Sequence, residues 1–380
     1  MVFKTMFGSQ WKRWHLVVPL VLFGLLSLLI GRRPRLLPGL GGSATAIAFS
    51  PDSKSIVCAS NNGYVQKWMP DIKKWRSFGN TRGYMTNLSP LFLRLRFSPD
   101  GQTLYAGGSH IDSSYSSVAH AWDVTTRRRK FSFNYLKSPA FDISPDGRWA
   151  ALGYRNFVTL VDLNGKPAPP RQDGFHDPSD FRVLPYHKLS TTGTVTAVAF
   201  SPDSRTLVAG YEGFQWQFAF WHVESAERVL PRTPPAASNP VEPAPSFAFG
   251  TPSSGAPSFL EWSPDGERVA AISCGKIAIY DVMTSGVIEV PWPSVHAPPP
   301  ATMGFGFNPG DTAPLAWSPD GQWLFSGGDE VRQWRTQDLK LWHSYGVPGP
   351  VAISPDGKTL ATASRPEPGA PQGVLLWKTG

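Results

Sequence analysis

Short apolar runs alternate with turn-forming residues from about residue 33 to the end of this 380-residue chain. In each repeat, one run precedes a Ser-Pro-Asp turn, a second follows it, and a third ends in a large residue. In the second repeat these runs read LFLRLRF, QTLYAGG and VAHAWDV. Runs this short, bounded by turn residues, are typical of strands. The pattern predicts an all-β fold built from repeated units of strands.

The Ser-Pro-Asp sequence marks the turn between the first two strands of each unit. Proline sets φ at the second position, aspartate can bond local backbone N–H groups, and Gly or Ser tolerates the fourth position. The chain therefore contains seven predicted reverse turns. They lie at residues 49–53, 97–101, 143–147, 200–204, 262–266, 317–321 and 353–357.

These repeats resemble those of the WD-repeat family, whose blades have an inner strand, a Ser-Pro-Asp-Gly turn, a second strand and a third strand ending in Trp-Asp. The intact dipeptide is Trp122-Asp123. Other repeats keep one member of the pair: Trp68, Asp162, Trp221, Asp281, Trp334 and Trp377. The Gly-His dipeptide that the family places before the inner strand is missing. The resemblance covers residues 33–380 and implies a seven-bladed β-propeller.

A second family, the TolB-type propellers, also uses Ser-Pro-Asp-Gly turns but usually has six blades. Seven turns and five tryptophans at matching positions favour the WD-repeat reading. Blades of this type have four antiparallel strands, so an outer strand is expected after each third strand. Candidates for it lie at 73–79, 128–135, 181–187, 227–233, 286–292 and 339–345.

The seventh repeat has no residues left for its own outer strand, because the chain stops just after GVLLWKT. We expect Arg33–Leu40 to supply that strand, so that the two ends of the chain share one blade and close the ring. In such blades the outer strand starts on the face that carries the Ser-Pro-Asp turns, here named the turn face. The opposite side is named the loop face.

The N-terminal region differs from the repeats. A basic segment, 1–15, precedes an apolar stretch at 16–31 that predicts a transmembrane helix or signal anchor. The 15 residues from Leu16 to Ile30 carry no charge and span about 23 Å as a helix, so flanking Trp and Arg side chains must extend them through the interfacial zone. The predicted anchor residues are Leu16, Val21, Phe23, Leu26, Leu29 and Ile30.

A cleaved signal peptide is the alternative interpretation of residues 1–31, because a basic segment before a short apolar stretch is its usual form. No small-x-small site follows, and Gly-Arg-Arg-Pro-Arg comes next, which favours an uncleaved, single-pass anchor. Three basic residues lie on each side of the stretch. The flanking charges therefore favour neither orientation, and the side of the membrane that carries the propeller stays open.

The net charge of +8 does not predict a nucleic-acid partner. Six of the 36 basic residues lie in residues 1–35, which contain no acid, leaving 30 bases against 28 acids in the remainder. The later basic run, Arg127 to Lys130, is expected on a solvated edge strand, where cations discourage strand addition. Cys58 and Cys274 lie in apolar runs of different repeats and are expected as buried thiols, without a disulfide or metal.

The longest insertions, 164–180, 234–257 and 293–313, are rich in Pro, Gly and Ser. Binding sites concentrate on loops that a rigid scaffold presents. We predict a partner site on the loop face, formed by 109–118, 188–193, 234–257, 293–313 and 365–372, although these segments can equally be passive spacers. The candidate contact residues are His110, Asp112, Tyr115, His296, Phe305 and Asp311.

No catalytic motif accompanies the repeats: Gly-x-Ser-x-Gly, His-Glu-x-x-His, Gly-x-x-x-x-Gly-Lys and Cys-x-x-Cys are all missing. His176, Asp177 and Asp180 form a weak metal-binding candidate that is more typical of a solvated turn. We predict a non-catalytic, membrane-anchored scaffold that binds another protein and needs no cofactor. The alternative is a hydrolase or lyase whose His and Asp residues, His110, Asp112, His296 and Asp311, converge at the channel mouth.

Overall fold

The structure, a computed structural model, describes residues 34–78, 90–110, 116–136, 140–163, 186–212, 217–229, 257–273, 276–291, 315–364 and 372–379. Within these ranges the chain forms 28 strands, grouped in seven four-stranded antiparallel sheets. The described residues include no helix long and apolar enough to cross a bilayer. The predicted anchor residues 16–31 lie outside the described ranges.

The strands follow the repeats in order. The first is β1 (Arg35–Pro38). Blades 1 and 2 contain β2 (Ala44–Phe49), β3 (Ile56–Ser60), β4 (Val65–Met69), β5 (Lys74–Ser77), β6 (Pro90–Phe97), β7 (Thr103–His110), β8 (Ser116–Asp123) and β9 (Arg129–Leu136). Blades 3 and 4 contain β10 (Phe141–Ile143), β11 (Trp149–Tyr154), β12 (Phe157–Asp162), β13 (Tyr186–Ser190), β14 (Val195–Phe200), β15 (Thr206–Tyr211), β16 (Gln217–His222) and β17 (Arg228–Val229). Blades 5 to 7 contain β18 (Phe259–Trp262), β19 (Arg268–Ser273), β20 (Lys276–Asp281), β21 (Val287–Pro291), β22 (Leu315–Trp317), β23 (Trp323–Ser326), β24 (Arg332–Arg335), β25 (Lys340–Ser344), β26 (Val351–Ile353), β27 (Thr359–Ala363) and β28 (Gly373–Lys378).

The two ends of the described chain close the ring in blade 7, as the sequence predicts. Strand β1 pairs antiparallel with β28, with Arg35 opposite Leu376 and Pro38 opposite Gly373. Gly373 is required at this seam, because a Cβ atom there would lie 2.2 Å from the Leu37 carbonyl oxygen. Leu37 is buried between blades 7 and 1. Closure removes the two sheet edges that an open ring would expose.

The blades pack through their apolar faces, and tryptophans link several of them. Trp262 and Trp317 end the inner strands of blades 5 and 6. Their indole N–H groups donate to the backbone oxygens of Ala199 and Glu261, each in the preceding blade, at 3.0 and 3.1 Å. Blade 5 is thereby tied to blade 4, and blade 6 to blade 5, at the inner strands as well as by apolar packing.

The outer strands differ from prediction in blade 3. The sequence predicts this strand at 181–187, whereas the described strand is β13, which starts at Tyr186. The other predicted residues, 181–185, lie outside the described ranges. Residues 188–190, predicted as part of a loop, belong to strand β13, and the described connection begins at Thr191.

The cysteines and the later basic run are placed as predicted, buried and exposed respectively, where the structure describes them. Cys58 is fully buried, and burial raises the pKa of its thiol. The basic run Arg127–Lys130 is exposed at the start of β9, the outer edge of blade 2. Cys274 lies outside the described residues.

Candidate functional site

The seven Ser-Pro-Asp turns share one hydrogen-bond pattern on the turn face. In blade 2, the Ser98 hydroxyl donates to the Asp100 carboxylate and accepts the backbone N–H of Thr103 at 2.9 Å. The Asp100 carboxylate also accepts the backbone N–H of Gln102 at 2.9 Å. The serine therefore joins the turn to the first residue of the second strand. The serines that repeat this N–H contact are Ser50, Ser144, Ser201, Ser263, Ser318 and Ser354.

These bonds change the acidity of the turn aspartates. The Ser98 hydroxyl and the Gln102 N–H favour the charged form of Asp100 and hold its pKa below the ordinary value. Serine hydroxyl and backbone N–H bonds likewise lower the pKa of Asp52 and Asp356. Asp52, Asp100 and Asp356 therefore act as structural acceptors, because each carboxylate accepts hydrogen bonds from its own turn.

Two turns end in serine instead of glycine and make an extra contact between blades. Ser53 and Ser204 have φ of 61° and 62°, in the left-handed region that favours glycine. The Ser204 hydroxyl accepts the backbone N–H of Asp146 in blade 3 at 3.0 Å. The Ser53 hydroxyl accepts that of Asp356 in blade 7 at 3.2 Å, across the closure of the ring.

The central channel contains a network of four charged side chains from three inner strands. Arg96 Nε donates to Asp142 Oδ1 at 2.7 Å, and Arg94 Nε lies 3.2 Å from the same oxygen. Both guanidinium groups also bind the Glu261 carboxylate. Asp142 Oδ2 accepts the backbone N–H of Phe200 at 2.9 Å. The network thus joins blades 2, 3, 4 and 5 and carries no net charge.

Beside this network the channel holds a cavity of about 230 Å³. Inner strands of five blades line it, including apolar residues Phe49, Phe259, Ala316 and Ile353. Asp142 has no exposed side-chain surface, and the side chains of Arg94, Arg96 and Glu261 are at most 25% exposed. The four charges bind one another, so none of them is available as an unpaired acid or base for chemistry.

A larger groove of about 450 Å³ opens on the turn face between blades 4 and 5. Its walls are largely apolar, formed by Phe220, Val229, Trp262, Val282 and Met283. The ring of Phe220 packs edge-on against that of Trp262, with centroids 6.0 Å apart. The turn residues Ser201, Asp203 and Asp265 form its polar rim. The groove is therefore a concave, mostly apolar surface.

The predicted contact residues on the loop face fall almost entirely outside the described residues. His110 is the last residue of β7, and the structure describes its backbone. Asp112, Tyr115, His296, Phe305 and Asp311 lie outside the described ranges, as do His176, Asp177 and Asp180. The prediction that they gather at one site stays a prediction. Within the described ranges, no group of three His, Cys, Asp or Glu side chains is close enough to hold a metal ion.

Sequence reasoning missed the channel network, although the sequence contains a signal for it. In LFLRLRF, Arg94 and Arg96 are two residues apart, so they share one face of an otherwise apolar inner strand. Asp142 in FDI and Glu261 in FLEW are also charges within apolar inner strands. Charged residues at such positions need partners, and opposite charges on other inner strands are the ones available at the channel.

Comparison with known families supports the repeat assignment. The WD40 family model, described as "WD domain, G-beta repeat", matches residues 35–68, 181–214 and 315–331. The first match starts at the closing strand β1 and runs through the inner and second strands of blade 1 into β4. The second starts before β13 and ends after β15. No curated protein sequence matches the chain.

Solved structures show the same fold. The structure of U3-55K superimposes with a TM-score of 0.60 at 12% identity, covering 91% of this chain and 98% of that one. The RRP9 WD40 repeats give a TM-score of 0.60 at 12% identity, with 91% and 97% covered. A chain of the mitotic checkpoint complex gives 0.58 at 15% identity, with 91% and 92% covered. At these identities the likeness establishes the fold: the chain is a seven-bladed β-propeller, and three of its segments match the WD40 repeat model.

Proposed function

We propose that this protein is a non-catalytic scaffold, held at a membrane by residues 16–31, that binds a protein partner through its loop face. The closed ring carries the proposal. Seven four-stranded blades joined by the β1–β28 seam form a rigid platform for the loops between strands. WD40 propellers commonly bind other proteins, and one similar chain belongs to a mitotic checkpoint complex.

The contacts that the described charged side chains make support the proposal that the protein is non-catalytic. A propeller enzyme would place its reactive groups at the central channel, yet the charged residues described there, Arg94, Arg96, Asp142 and Glu261, bind one another. The turn aspartates, such as Asp100, are occupied by their own serines. The described polar groups therefore serve structural contacts.

The direction of the loop face follows from strand β1. Arg35 pairs with Leu376 near the end of β28, and the backbone N–H of Thr379 donates to the Lys358 oxygen in the turn of blade 7. Strand β1 therefore starts on the turn face, and residues before Pro34 join the propeller there. With residues 16–31 in a bilayer, the loop face points away from the membrane and is accessible to a partner.

Alkaline extraction of membranes tests the anchor. We expect the full chain to stay in the membrane fraction and Leu26→Arg to be released, because a cation at the centre of a span costs about 2.5–3.5 kcal/mol. Release of the unsubstituted chain would contradict anchoring.

For the partner site, the full chain is captured in mild detergent and the enriched proteins are identified. The variants Tyr115→Ala and Phe305→Ala lose a partner that the unsubstituted chain enriches, because aromatic side chains carry much of the binding energy at interfaces. The turn-face variants Lys54→Ala and Lys358→Ala, both exposed positions, retain it. If only the turn-face variants lost the partner, the partner site would lie on the turn face, which would contradict the proposal.

A further inference from the structure

Exposed large apolar side chains are concentrated on two neighbouring blades. In the described ranges, seven such side chains are exposed: Tyr64, Ile72, Met283, Val287, Ile288, Leu341 and Trp342. The last five belong to blades 5 and 6 and are here named the rim patch. Trp342 is 65% exposed and Met283 57% exposed. Outer strands are usually protected by charged residues, so an apolar outer edge indicates a surface that is covered in use.

All five residues of the rim patch lie at the turn-face end of the ring. Met283 is in the turn between β20 and β21, and Val287 and Ile288 begin β21, opposite Tyr280 and Ile279. Leu341 and Trp342 follow the turn between β24 and β25, with Leu341 opposite Trp334. Blades 5 and 6 pack directly against each other through one apolar cluster. The patch is therefore a band on one side of the turn face.

The start of the described chain lies beside this band. Strand β1 is in blade 7, next to blade 6, and Arg35 is at its turn-face end. The apolar stretch ends at Ile30, so three residues, Gly31 to Arg33, separate it from Pro34. The four Cα-to-Cα steps from Ile30 to Pro34 span at most about 14 Å when fully extended. A propeller attached this closely to a bilayer must touch it, and the rim patch begins in blade 6, directly beside the blade that holds the attachment point.

The chemistry of the rim patch suits the interfacial zone of a bilayer. Tryptophan is enriched at that depth because its ring is apolar and its N–H group can be hydrated. The charges beside the patch are mostly paired, since Lys276 binds Glu289 at 2.6 Å, and Asp338 binds Arg335 at 2.5 Å and Lys340 at 3.7 Å, which leaves a net charge of only +1. Apolar insertion, and not attraction to anionic lipid, is therefore the expected driving force.

We propose that the rim patch inserts into the interfacial zone of the membrane that holds the chain, so that the propeller rests on the edge formed by blades 5 to 7. This inference rests on the proposed membrane attachment. It adds a second contact with lipid and fixes the tilt of the ring. The loop face of blades 1 to 3 then projects farthest from the bilayer.

Spin-label accessibility on the full chain in phosphatidylcholine vesicles tests the inference. One nitroxide is attached at Met283→Cys and a matched control at Tyr64→Cys, an exposed position on the loop face; the unsubstituted chain, with Cys58 buried, gives the labelling background. Lipid-soluble oxygen and a water-soluble nickel complex are the collision probes. The ratio of oxygen to nickel accessibility is expected to be several-fold higher at Met283→Cys, and Trp342→Glu in the same chain lowers it.

The outcomes separate the two proposals. Equal ratios at the two positions, on a chain that floats with the vesicles, would overturn the rim-patch inference and leave the anchor standing. A label shielded from both probes would also overturn it, because a protein surface would then cover the patch. A chain that does not float with vesicles would overturn both the anchor and the inference.

Discussion

Arg96 and Asp142 form a hydrogen bond of 2.7 Å between the inner strands of blades 2 and 3, and the Asp142 side chain has no exposed surface whereas that of Arg96 is one-quarter exposed. Replacing Asp142 by alanine leaves two arginines and the Phe200 N–H without this acceptor. We expect Asp142→Ala to lower the free energy of unfolding by about 3–5 kcal/mol, as for other broken buried pairs. Urea denaturation measures this loss.

Glu261→Ala is the matched control for that variant. Glu261 binds the same two arginines, but its side chain is 23% exposed, so water can replace part of what is lost. The loss should be clearly smaller than for Asp142→Ala. Equal stability of Asp142→Ala and the unsubstituted chain would show that the network does not hold the blades together.

The seam between β1 and β28 should contribute to the stability of the whole ring. Leu37 is 1% exposed, and Leu37→Ala is expected to cost about 2–5 kcal/mol by leaving a cavity. Leu36, on the other face of β1, is only half-buried, so Leu36→Ala serves as the control and should cost less than half as much. Hydrogen exchange supplies the second readout, with faster exchange in β28 for Leu37→Ala. Unchanged exchange there would argue against closure through β1.

Ser53 and Ser204 have a positive φ, so substitutions there separate the effect of backbone strain from that of the lost hydrogen bond. At Ser204, both Ser204→Gly and Ser204→Ala remove the hydroxyl that accepts the Asp146 N–H. Only glycine relieves the positive φ, so the glycine variant should be more stable than the alanine variant by about 1 kcal/mol. In blade 5, Gly266→Ala should lose a similar amount, because φ is 73° and the nearest side-chain atom to an added Cβ is 3.8 Å away. Thermal unfolding of the variants measures the difference. A higher Tm for Ser204→Ala than for Ser204→Gly would contradict the prediction.

The turn aspartates predict how stability depends on pH. The folded-state pKa of Asp52, Asp100 and Asp356 is below the ordinary value of 3.8, so these groups stabilise the fold above that pH. The stabilisation is lost as pH falls below 3.8 through the folded-state pKa. The Tm should therefore fall as the pH drops below about 4.

An asparagine series isolates the contribution of these aspartates. Asparagine keeps an acceptor oxygen for the turn but does not titrate. The triple variant Asp52→Asn, Asp100→Asn and Asp356→Asn should show a shallower decline of Tm with falling pH. An identical decline would assign the acid sensitivity to other groups.

The repeated turn made most of the fold predictable. Proline, aspartate and glycine act locally, so each Ser-Pro-Asp copy identified a pair of strands without any long-range information. Closure by Arg33–Leu40 followed from counting strands. In blade 3 the predicted strand 181–187 overlaps β13 at residues 186–187, and the prediction was wrong for 188–190, which were assigned to a loop because their sequence, KLS, is short and mostly polar.

The channel network was not predicted because its members become neighbours only when the ring forms. Arg96 and Asp142 are in adjacent blades, but Glu261 is in blade 5, and no local pattern connects these positions. The rim patch was missed for a related reason. Val287 and Ile288 look like ordinary strand residues in the sequence, and only their place at an outer edge exposes them.

The β1–β28 pairing also has a consequence for biosynthesis. During translation, β1 leaves the ribosome before the other described strands, whereas its partner β28 leaves after them. Blade 7 cannot be completed until residues 373–378 have been synthesised, so the nascent ring stays open while its other six blades assemble. A chaperone that shields open strand edges would have its longest opportunity to act at this blade, and ribosomes that stall before codon 373 would release a ring that cannot shut.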